Sequence, residues 1–251
     1  MNIALVGATG FIGSKILAEA ANRGHHVIAI CQHPDNALKH ANVQPVFADV
    51  MNTAALQLLF AGQDAVIHSY APPYDLKLRA EANQYVARFT AAGRSPMEAF
   101  ASFRPTDPAA HHADVQARID AQTKATQSII RAAQAARVKR ILAVGGAGTL
   151  LIDGVRSMDR PEFPVAFEGG AKSTAVVKEL LRENPDLDWT VLCPSLMIVP
   201  GERTGKFRLG HDDLLTAADG SSRISVEDFA VAFVDELETP THTRQRFTVG
   251  Y

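Results

Sequence analysis

The sequence begins with the stretch NIALVGATGFIG at residues 2–13, an apolar run that leads into three glycines spaced three residues apart. The run predicts a buried β-strand, and the glycines predict a tight turn that opens a helix. Gly7 permits the turn, Gly10 lets the backbone approach a pyrophosphate, and Gly13 lets the helix pack against the strand. Unpaired N–H groups at the start of such a helix bind phosphate, so residues 7–13 predict a phosphate cradle.

The residues that follow complete a βαβ unit around this turn. Apolar residues keep one helical face, Gly24 stands at the stop position, and residues 26–31 predict a buried second strand. The glycine spacing is GxxGxxG, which differs from the GxGxxG of the commonest dinucleotide fingerprint. The prediction of a nucleotide site therefore depends on the βαβ context. The alternative is a glycine turn in an α/β protein that binds no nucleotide.

Strand-like and helical segments alternate along the rest of the chain. Further strands are predicted at residues 43–48, 64–70, 140–144 and 189–193, and further helices at residues 53–60, 114–136 and 168–183. Pro45 cannot donate to a ladder, which favours a sheet edge for the third strand. The pattern predicts an α/β fold, a doubly wound parallel Rossmann sheet in the order 3-2-1-4-5-6 with helices on both faces. We expect one domain over residues 1–251, with a small C-terminal substrate-side region over residues 195–251, which contains a second capping box at residues 225–228.

A helical insertion is predicted at about residues 75–112, after the fourth strand. Leu78, Ala82 and Phe89 keep helical spacing, and residues 95–98 form a capping box with proline at the first helical position. Three roles remain open for this insertion: a lid over the substrate, a contact between subunits, or a surface segment without a role in function. The adjacent histidines at 111–112 do not face one another and lack accompanying ligands, so we expect solvated side chains and no metal site.

Bulk composition restricts the function classes. The 251 residues are 47% hydrophobic and 21% charged, with a formal net charge of -2, which favours neither nucleic acid nor an anionic membrane as partner. No apolar run approaches the ~20 residues that cross a bilayer, and the first residues enter a strand without a signal peptide. We therefore expect a cytoplasmic protein with a small-molecule partner. We expect it to be a monomer or homodimer. Cys31 and Cys193 lie in apolar strands and are predicted to be packed thiols.

Four motifs together carry a family resemblance. They are GATGFIG at residues 7–13, VGGAG at 144–148, PGERTG at 200–205 and ISVEDFA at 224–230. With them the chain resembles the atypical short-chain dehydrogenases/reductases, especially the NAD(P)H-dependent flavin-reductase-like proteins related to NmrA. The resemblance covers almost the full length apart from the insertion.

The resemblance implies a set of cofactor contacts. They are Gly7, Thr9, Gly10, Phe11, Ile12 and Gly13 at the pyrophosphate; Cys31, Gln32 and His33 at the adenosine ribose; Asp49 and Val50 at the adenine; Tyr70 and Ala71 on the far side of the cofactor; Pro194 and Ser195 beside the nicotinamide carboxamide; and Gly145, Gly146 and Lys172 as further cofactor contacts. Residues 31–33 supply neither the carboxylate that favours NAD nor the arginine that favours NADP. Because no acid is present to repel a 2′-phosphate, NADP is the preferred cofactor and NAD the alternative.

The chain departs from this superfamily in the residues of the proton relay. Other members use a tyrosine four residues before a lysine, together with a serine after the fifth strand. Here Gly145 and Gly146 occupy the serine position, and Lys172 follows Glu168. The other lysine, Lys178, follows Thr174. Glu168 is a proton donor only if burial raises its pKa well above ~4.3. Lys172 is the predicted catalytic residue, as an orienting group for the ribose hydroxyls, and a solvated helix lysine is the alternative.

A missing relay fits hydride transfer to a flavin-like or quinone-like acceptor, because charge spreads through such a ring and water completes protonation. The predicted substrate contacts are Gly146, Tyr74, Phe167 and Arg203, with Phe163 and Tyr70 as further stacking groups. Arg203 either pairs with an anionic acceptor group or faces solvent. Two other functions remain open. One is a non-catalytic NAD(P)-binding redox sensor, and the other is an NAD-dependent epimerase or dehydratase, which the absent tyrosine disfavours.

Overall fold

The structure is a computed structural model that describes the main chain of all 251 residues and every side chain except those of Pro96 and Met97. The strands are β1 (Asn2–Val6), β2 (His26–Cys31), β3 (Val43–Phe47), β4 (Ala65–His68), β5 (Arg140–Val144), β6 (Leu151–Ile152), β7 (Val155–Arg156), β8 (Asp188–Cys193), β9 (Met197–Val199), β10 (Arg208–Gly210), β11 (Arg223–Ser225) and β12 (Gln245–Gly250). The helices are α1 (Gly13–Asn22), α2 (Thr53–Phe60), α3 (Leu76–Ala91), α4 (Pro96–Ser102), α5 (Pro108–Ala135), α6 (Glu168–Arg182) and α7 (Val226–Glu238).

The main sheet has the strand order β10-β12-β8-β5-β4-β1-β2-β3. Its strands run parallel except for β10, which pairs antiparallel with β12. The predicted doubly wound parallel sheet is confirmed, and its order 3-2-1-4-5-6 is extended beyond the sixth strand by β12 and β10. β3 forms the edge, as Pro45 predicted, and Pro45 lies opposite Ala29 of β2. The carboxyl ends of the parallel strands therefore meet along one edge, where such sheets bind ligands.

Apolar cores cover both faces of this sheet. Successive residues of β1 alternate between them, since Ala4 lies in the core shared with α2, α5 and α6, whereas Leu5 lies in the core shared with α1 and α7. Phe60 of α2 and Phe233 of α7 are almost fully buried in these two cores. The central strands are therefore buried on both faces, which explains why they appear as continuous apolar runs in the sequence.

The insertion contains the two predicted helices, α3 and α4. Ser95 accepts a hydrogen bond from the Glu98 N–H at 3.2 Å, and the Glu98 carboxylate accepts one from the Ser95 N–H at 3.1 Å, so the predicted capping box is present. The side chains of Pro96 and Met97 between them lie outside the described residues. The next helix, predicted to begin near Asp114, begins instead at Pro108. Asp107 caps it by accepting from the Ala110 N–H, and a proline in the first turn fits this start.

The second predicted capping box is only half formed. Ser225 caps α7 by accepting from the Asp228 N–H at 3.0 Å. The Asp228 carboxylate does not return to the Ser225 N–H, because it accepts hydrogen bonds from Thr204, Gly205 and Tyr251. Asp228 therefore ties the loop before β10 to the start of α7. Within the described residues, none of the helices combines the length and apolar character that a membrane span requires.

Candidate functional site

The glycine turn after β1 is packed tightly between the neighbouring strands. Gly7 has a φ of +86°, and a Cβ there would lie 2.5 Å from the Ser69 carbonyl oxygen. Its N–H donates to the Ile30 carbonyl at 3.0 Å. A Cβ on Gly13 would lie only 2.1 Å from the Gly7 carbonyl oxygen. Both positions therefore need glycine for steric reasons, and the first turn of α1 lies directly against the end of β1.

A side chain at Gly10 would meet less steric hindrance than one at Gly7 or Gly13. It is exposed, and a Cβ there would have the Gly7 carbonyl oxygen, at 3.3 Å, as its nearest neighbour. α1 begins without a side-chain cap, and across the described chain no protein acceptor is recorded for the N–H groups of Phe11, Ile12 and Gly13. Open space above Gly10 and unpaired donors at a helix start are what a pyrophosphate requires. The residues present therefore fit a dinucleotide cofactor.

The ends of β2, β3 and β4 bring the other predicted adenosine contacts to the same edge. The Cys31 thiol is buried beside the Thr9 hydroxyl, and burial raises its pKa. Gln32, His33, Asp49 and Ala71 are exposed, whereas Val50 is buried. Burial raises the pKa of the Tyr70 phenol, the negative charge of Asp49 adds to the rise, and Arg118 opposes it. Asp49 and Tyr70 thus lie close enough for the charge of Asp49 to influence the phenol.

A cavity of about 420 Å³ lies where β5 and β8 end. Gly146 follows β5 and lines it, and Pro194 and Ser195 follow β8 and line it as well. Gly145 lies just behind, where a Cβ would be 2.5 Å from the Cys193 sulfur. The other residues that line the cavity are aromatic, small or large apolar residues: Tyr74, Phe100, Phe163, Phe167, Ala147, Gly148, Gly170, Ala171, Thr174, Leu196, Met197 and Ile198. The structure therefore brings five of the predicted site residues, Gly146, Tyr74, Phe167, Pro194 and Ser195, to one cavity.

The insertion covers this cavity. Phe100 of α4 packs on Phe167, with ring centroids 4.7 Å apart. A second cavity of about 220 Å³ lies between the insertion and α5, and Tyr74, Phe100 and Phe167 line both cavities. Phe100 was missed at the sequence level, because no local pattern tells which residue of a two-helix insertion faces the sheet edge.

The large cavity lacks ionisable groups other than one phenol. None of the described residues that line it carries a carboxylate, imidazole, amine or thiol. The Thr174 hydroxyl donates to the Gly170 carbonyl at 2.9 Å, and the Ser195 hydroxyl donates to the Val249 carbonyl at 3.0 Å. The Tyr74 phenol is the remaining hydroxyl. Among the described side chains, no group of histidines, cysteines and carboxylates is arranged to hold a metal ion.

Lys172 and Glu168 lie outside the cavity. Residues 170 and 174 of α6 face it, and because successive helix residues are separated by 100°, Lys172 projects from the opposite side. Its amine pairs with the Glu168 carboxylate. Burial pushes the pKa of Glu168 upward, but hydrogen bonds from Lys172 and His111 outweigh it and hold the pKa below its ordinary value. Glu168 is therefore ionised at neutral pH, and a role as proton donor is excluded.

His111 differs from the sequence expectation as well. Its Nε2 lies 3.1 Å from the Glu168 carboxylate, and its side chain is largely buried. His112 is exposed, as expected. The prediction of two solvated histidines is thus wrong for His111, because α5 begins early enough to place its first turn against α6.

Arg203 is also remote from the predicted role. Its guanidinium donates to both Glu19 carboxylate oxygens, at 2.8 and 2.7 Å. The pKa of Glu19 lies below its ordinary value, chiefly because of these hydrogen bonds. Glu19 lies on the sheet-facing part of α1 and not in either cavity. Arg203 therefore lines neither cavity in this structure, and its half-exposed side chain forms an ion pair with Glu19.

The comparisons with known proteins agree with this geometry. Residues 7–237 match the NAD(P)H-binding family, and the chain belongs to that family. Among solved structures, it is similar to a protein from Burkholderia pseudomallei described as a candidate exported protein (36% identity, TM-score 0.74, covering 100% of both chains). A candidate epimerase from Bacteroides thetaiotaomicron is 32% identical with a TM-score of 0.77, over 100% of this chain and 96% of that one. A candidate NADH-flavin reductase from Streptococcus pneumoniae is 27% identical with a TM-score of 0.68, over 100% and 99%.

Proposed function

We propose that the protein is an NAD(P)H-dependent oxidoreductase that reduces a flat, electron-poor acceptor of the flavin or quinone class without a tyrosine–lysine proton relay. The observation that carries the proposal is the large cavity at the ends of β5 and β8. Aromatic and small apolar residues line it, and no carboxylate, imidazole or amine projects into it from the described residues. Such a cavity suits a flat ring that stacks on a nicotinamide.

The protein's own contribution is alignment and the exclusion of water. The cofactor supplies the hydride when it is bound. Phe163 and Phe167 offer ring faces to the acceptor, and Phe100 closes the site from the insertion. A simple ketone would leave a localised alkoxide that needs a positioned acid. A quinone or flavin spreads the charge over the ring, so water suffices as the proton source.

The cofactor contacts that we propose are those implied by the family resemblance. Residues 7–13 hold the pyrophosphate, residues 31–33 the ribose, Asp49 and Val50 the adenine, and Tyr70 and Ala71 the far side of the cofactor. Gln32 and His33 are exposed, and residues 31–33 include no carboxylate that would repel a 2′-phosphate, which favours NADP over NAD. We further propose that the protein works in the cytoplasm as a monomer or homodimer.

A second candidate is a non-catalytic redox sensor. The same absence of ionisable groups from the described lining residues favours it, since binding alone needs no proton donor. The description of the Streptococcus pneumoniae relative as a candidate NADH-flavin reductase supports the enzyme instead. An epimerase or dehydratase is disfavoured, although the Bacteroides relative is described as a candidate epimerase, because the lining offers no acid–base pair.

Oxidation of NADPH and NADH, followed at 340 nm with FMN, FAD or menadione, tests the proposal. We expect steady turnover with at least one acceptor and a preference for NADPH. Phe167→Ala should raise the KM for menadione by up to about tenfold, the equivalent of one aromatic contact. Phe47→Ala is the matched control, because Phe47 is 65% exposed on the edge strand β3. Tight cofactor binding without turnover for any acceptor would support the sensor.

A further inference from the structure

Arg118 is a buried cation without a counter-charge. It lies on α5 and is 3% exposed. Its Nε and Nη1 atoms are fully buried and have no acceptor, and no ion pair involves its guanidinium in the described part of the protein. Burying a charge without a partner is costly, so proteins rarely keep one unless it binds something.

The guanidinium lies against the beginning of α6. A Cβ on Gly169 would lie 3.2 Å from Nε of Arg118, and a Cβ on Gly170 would lie 3.8 Å from Nη2. This helix has 15 residues, and no side chain caps it at Phe167. At this start the Glu168 N–H already donates to the Val165 carbonyl of the preceding turn, so the attraction for an anion comes from the helix dipole and the arginine. Two glycines therefore open a space in which an arginine and a helix N-terminus lie side by side, and both favour an anion.

Tyr74 separates Arg118 from the cavities. The guanidinium carbon lies 3.6 Å from the centroid of the Tyr74 ring, which compensates part of the charge through a cation–π contact. The Tyr74 side chain lines both cavities and is 45% exposed. Its hydroxyl lies 3.0 Å from where a Cβ of Gly170 would stand. Tyr74 is half exposed and covers the guanidinium, so a ligand in the cavity reaches Arg118 only when this side chain turns aside.

The acidic side chains on the adjoining turns are engaged elsewhere. Glu168 pairs with Lys172 and His111. Asp114, one turn before Arg118 on α5, accepts a hydrogen bond from the Asp75 N–H. The protein thus leaves the anion position beside Arg118 to a ligand.

We infer that Arg118, together with the N-terminus of α6 and beneath Tyr74, binds a carboxylate group carried by the aromatic acceptor. The inference names the acceptor class of the proposed reductase, an aromatic acid, and so rests on that proposal. A guanidinium binds a carboxylate through two parallel hydrogen bonds, which also fixes the orientation of the attached ring. Arg118 takes the role that the sequence had suggested for Arg203.

Calorimetry with a matched pair of probes tests this site without turnover. The probes are 2-naphthoate and its uncharged analogue 2-naphthamide, titrated into the full chain saturated with NADP⁺. The wild type should bind the acid at least about tenfold more tightly than the amide. Arg118→Gln should abolish this preference while the amide binds as before. Arg79→Gln is the control, because Arg79 is exposed and 5.8 Å from the same tyrosine ring.

Thermal unfolding separates a binding arginine from a structural one. Without ligand, Arg118→Gln should unfold at the same temperature as the wild type or higher, because it removes an uncompensated buried charge. Should this variant fail to fold, Arg118→Lys replaces it, and the loss of the bidentate contact should then reduce the preference for the acid.

Three results would overturn the inference: equal affinity of the wild type for both probes, binding of neither, or an unchanged preference in the Arg118 variants. Menadione carries no carboxylate, so its turnover by the wild type tests the proposed reductase independently of the carboxylate site. Absence of menadione turnover in the wild type, with the preference for the acid intact, would instead count against the proposed reductase alone.

Discussion

A methyl group added to Gly146 would lie 2.2 Å from the hydroxyl oxygen of Thr174. The threonine cannot give way freely, because its hydroxyl donates to the Gly170 and Ala171 carbonyls at 2.9 and 3.1 Å. Because Gly146 has no side chain, α6 can approach the carboxyl end of β5. This contact places the face of α6 that carries Gly170 along the cavity.

Gly146→Ala should destabilise the protein by about 1–3 kcal/mol, because the added carbon forces α6 away from β5. Thr174→Gly alone should cost about 1 kcal/mol as a glycine inside a helix. The double variant should be more stable than the sum of the single effects by about 1 kcal/mol, since the clash is gone. Urea denaturation measures all three. Strict additivity would show that the two residues are not in steric contact.

Gly10→Val should abolish cofactor binding and leave the fold intact. The valine Cβ meets only the Gly7 carbonyl oxygen, at 3.3 Å, whereas its branches fill the space above the turn. Loss of two hydrogen bonds to a charged group, at roughly 1.5 kcal/mol each, weakens binding about 100-fold or more. Calorimetry with NADP⁺ measures the affinity, and thermal unfolding checks the fold.

The matched comparison for that turn is Gly13→Ala, whose Cβ would lie 2.1 Å from a backbone oxygen. Gly13→Ala should therefore lower the free energy of unfolding, whereas Gly10→Val should not. An unchanged NADP⁺ affinity in Gly10→Val would refute the placement of the pyrophosphate at residues 7–13.

His68 should make the protein less stable as the pH falls below neutrality. It is fully buried at the end of β4, and burial lowers its pKa from 6.5 to about 4. Above pH 6.5 the imidazole is neutral in both states, so no penalty arises. Between pH 6.5 and about 4 the unfolded chain takes up a proton that the folded protein refuses, which favours unfolding. From pH 7 to pH 5 this costs about 2 kcal/mol.

His68→Gln should flatten that pH dependence, and denaturant titrations at pH 7, 6 and 5 would show it. His26→Gln is the control, because His26 is exposed at the start of β2. Equal slopes for the wild type and His68→Gln would mean that His68 is protonated in the folded protein.

Arg203→Ala should leave the binding of NADP⁺ and menadione unchanged. Its side chain is 56% exposed, and Arg23 still pairs with Glu19 in its absence, so the loss of stability should stay below about 1 kcal/mol. Arg23→Ala should cost more, because Arg23 contacts Glu19, Asp235 and Glu238 together. A weaker affinity for menadione in Arg203→Ala, at unchanged unfolding temperature, would place Arg203 at the acceptor after all.

The sequence predicted those features that depend on local pattern. Alternation and glycine spacing gave the strands, the sheet order and the turn at residues 7–13, and Ser95 and Glu98 marked a helix start. Contacts between distant elements could not be predicted this way. Arg118 and Arg203 are both arginines in polar stretches, and only the packing of α5 on α6 shows which of them lies beside the cavity. Asp107-Pro108 did offer a local start signal for α5.

Lys172→Ala tests the last of the predicted cofactor contacts. The structure places Lys172 on the side of α6 opposite to Gly170 and Thr174, in an exposed pair with Glu168. We therefore expect NADP⁺ affinity and kcat to stay within about twofold, and stability to fall by about 0.3–0.5 kcal/mol for the lost helix pair. Gly170→Val is the comparison on the other face, where the side chain enters the cavity beside the Tyr74 hydroxyl and should raise the KM of the acceptor. A large loss of NADP⁺ affinity in Lys172→Ala would contradict this placement and restore Lys172 as a cofactor contact.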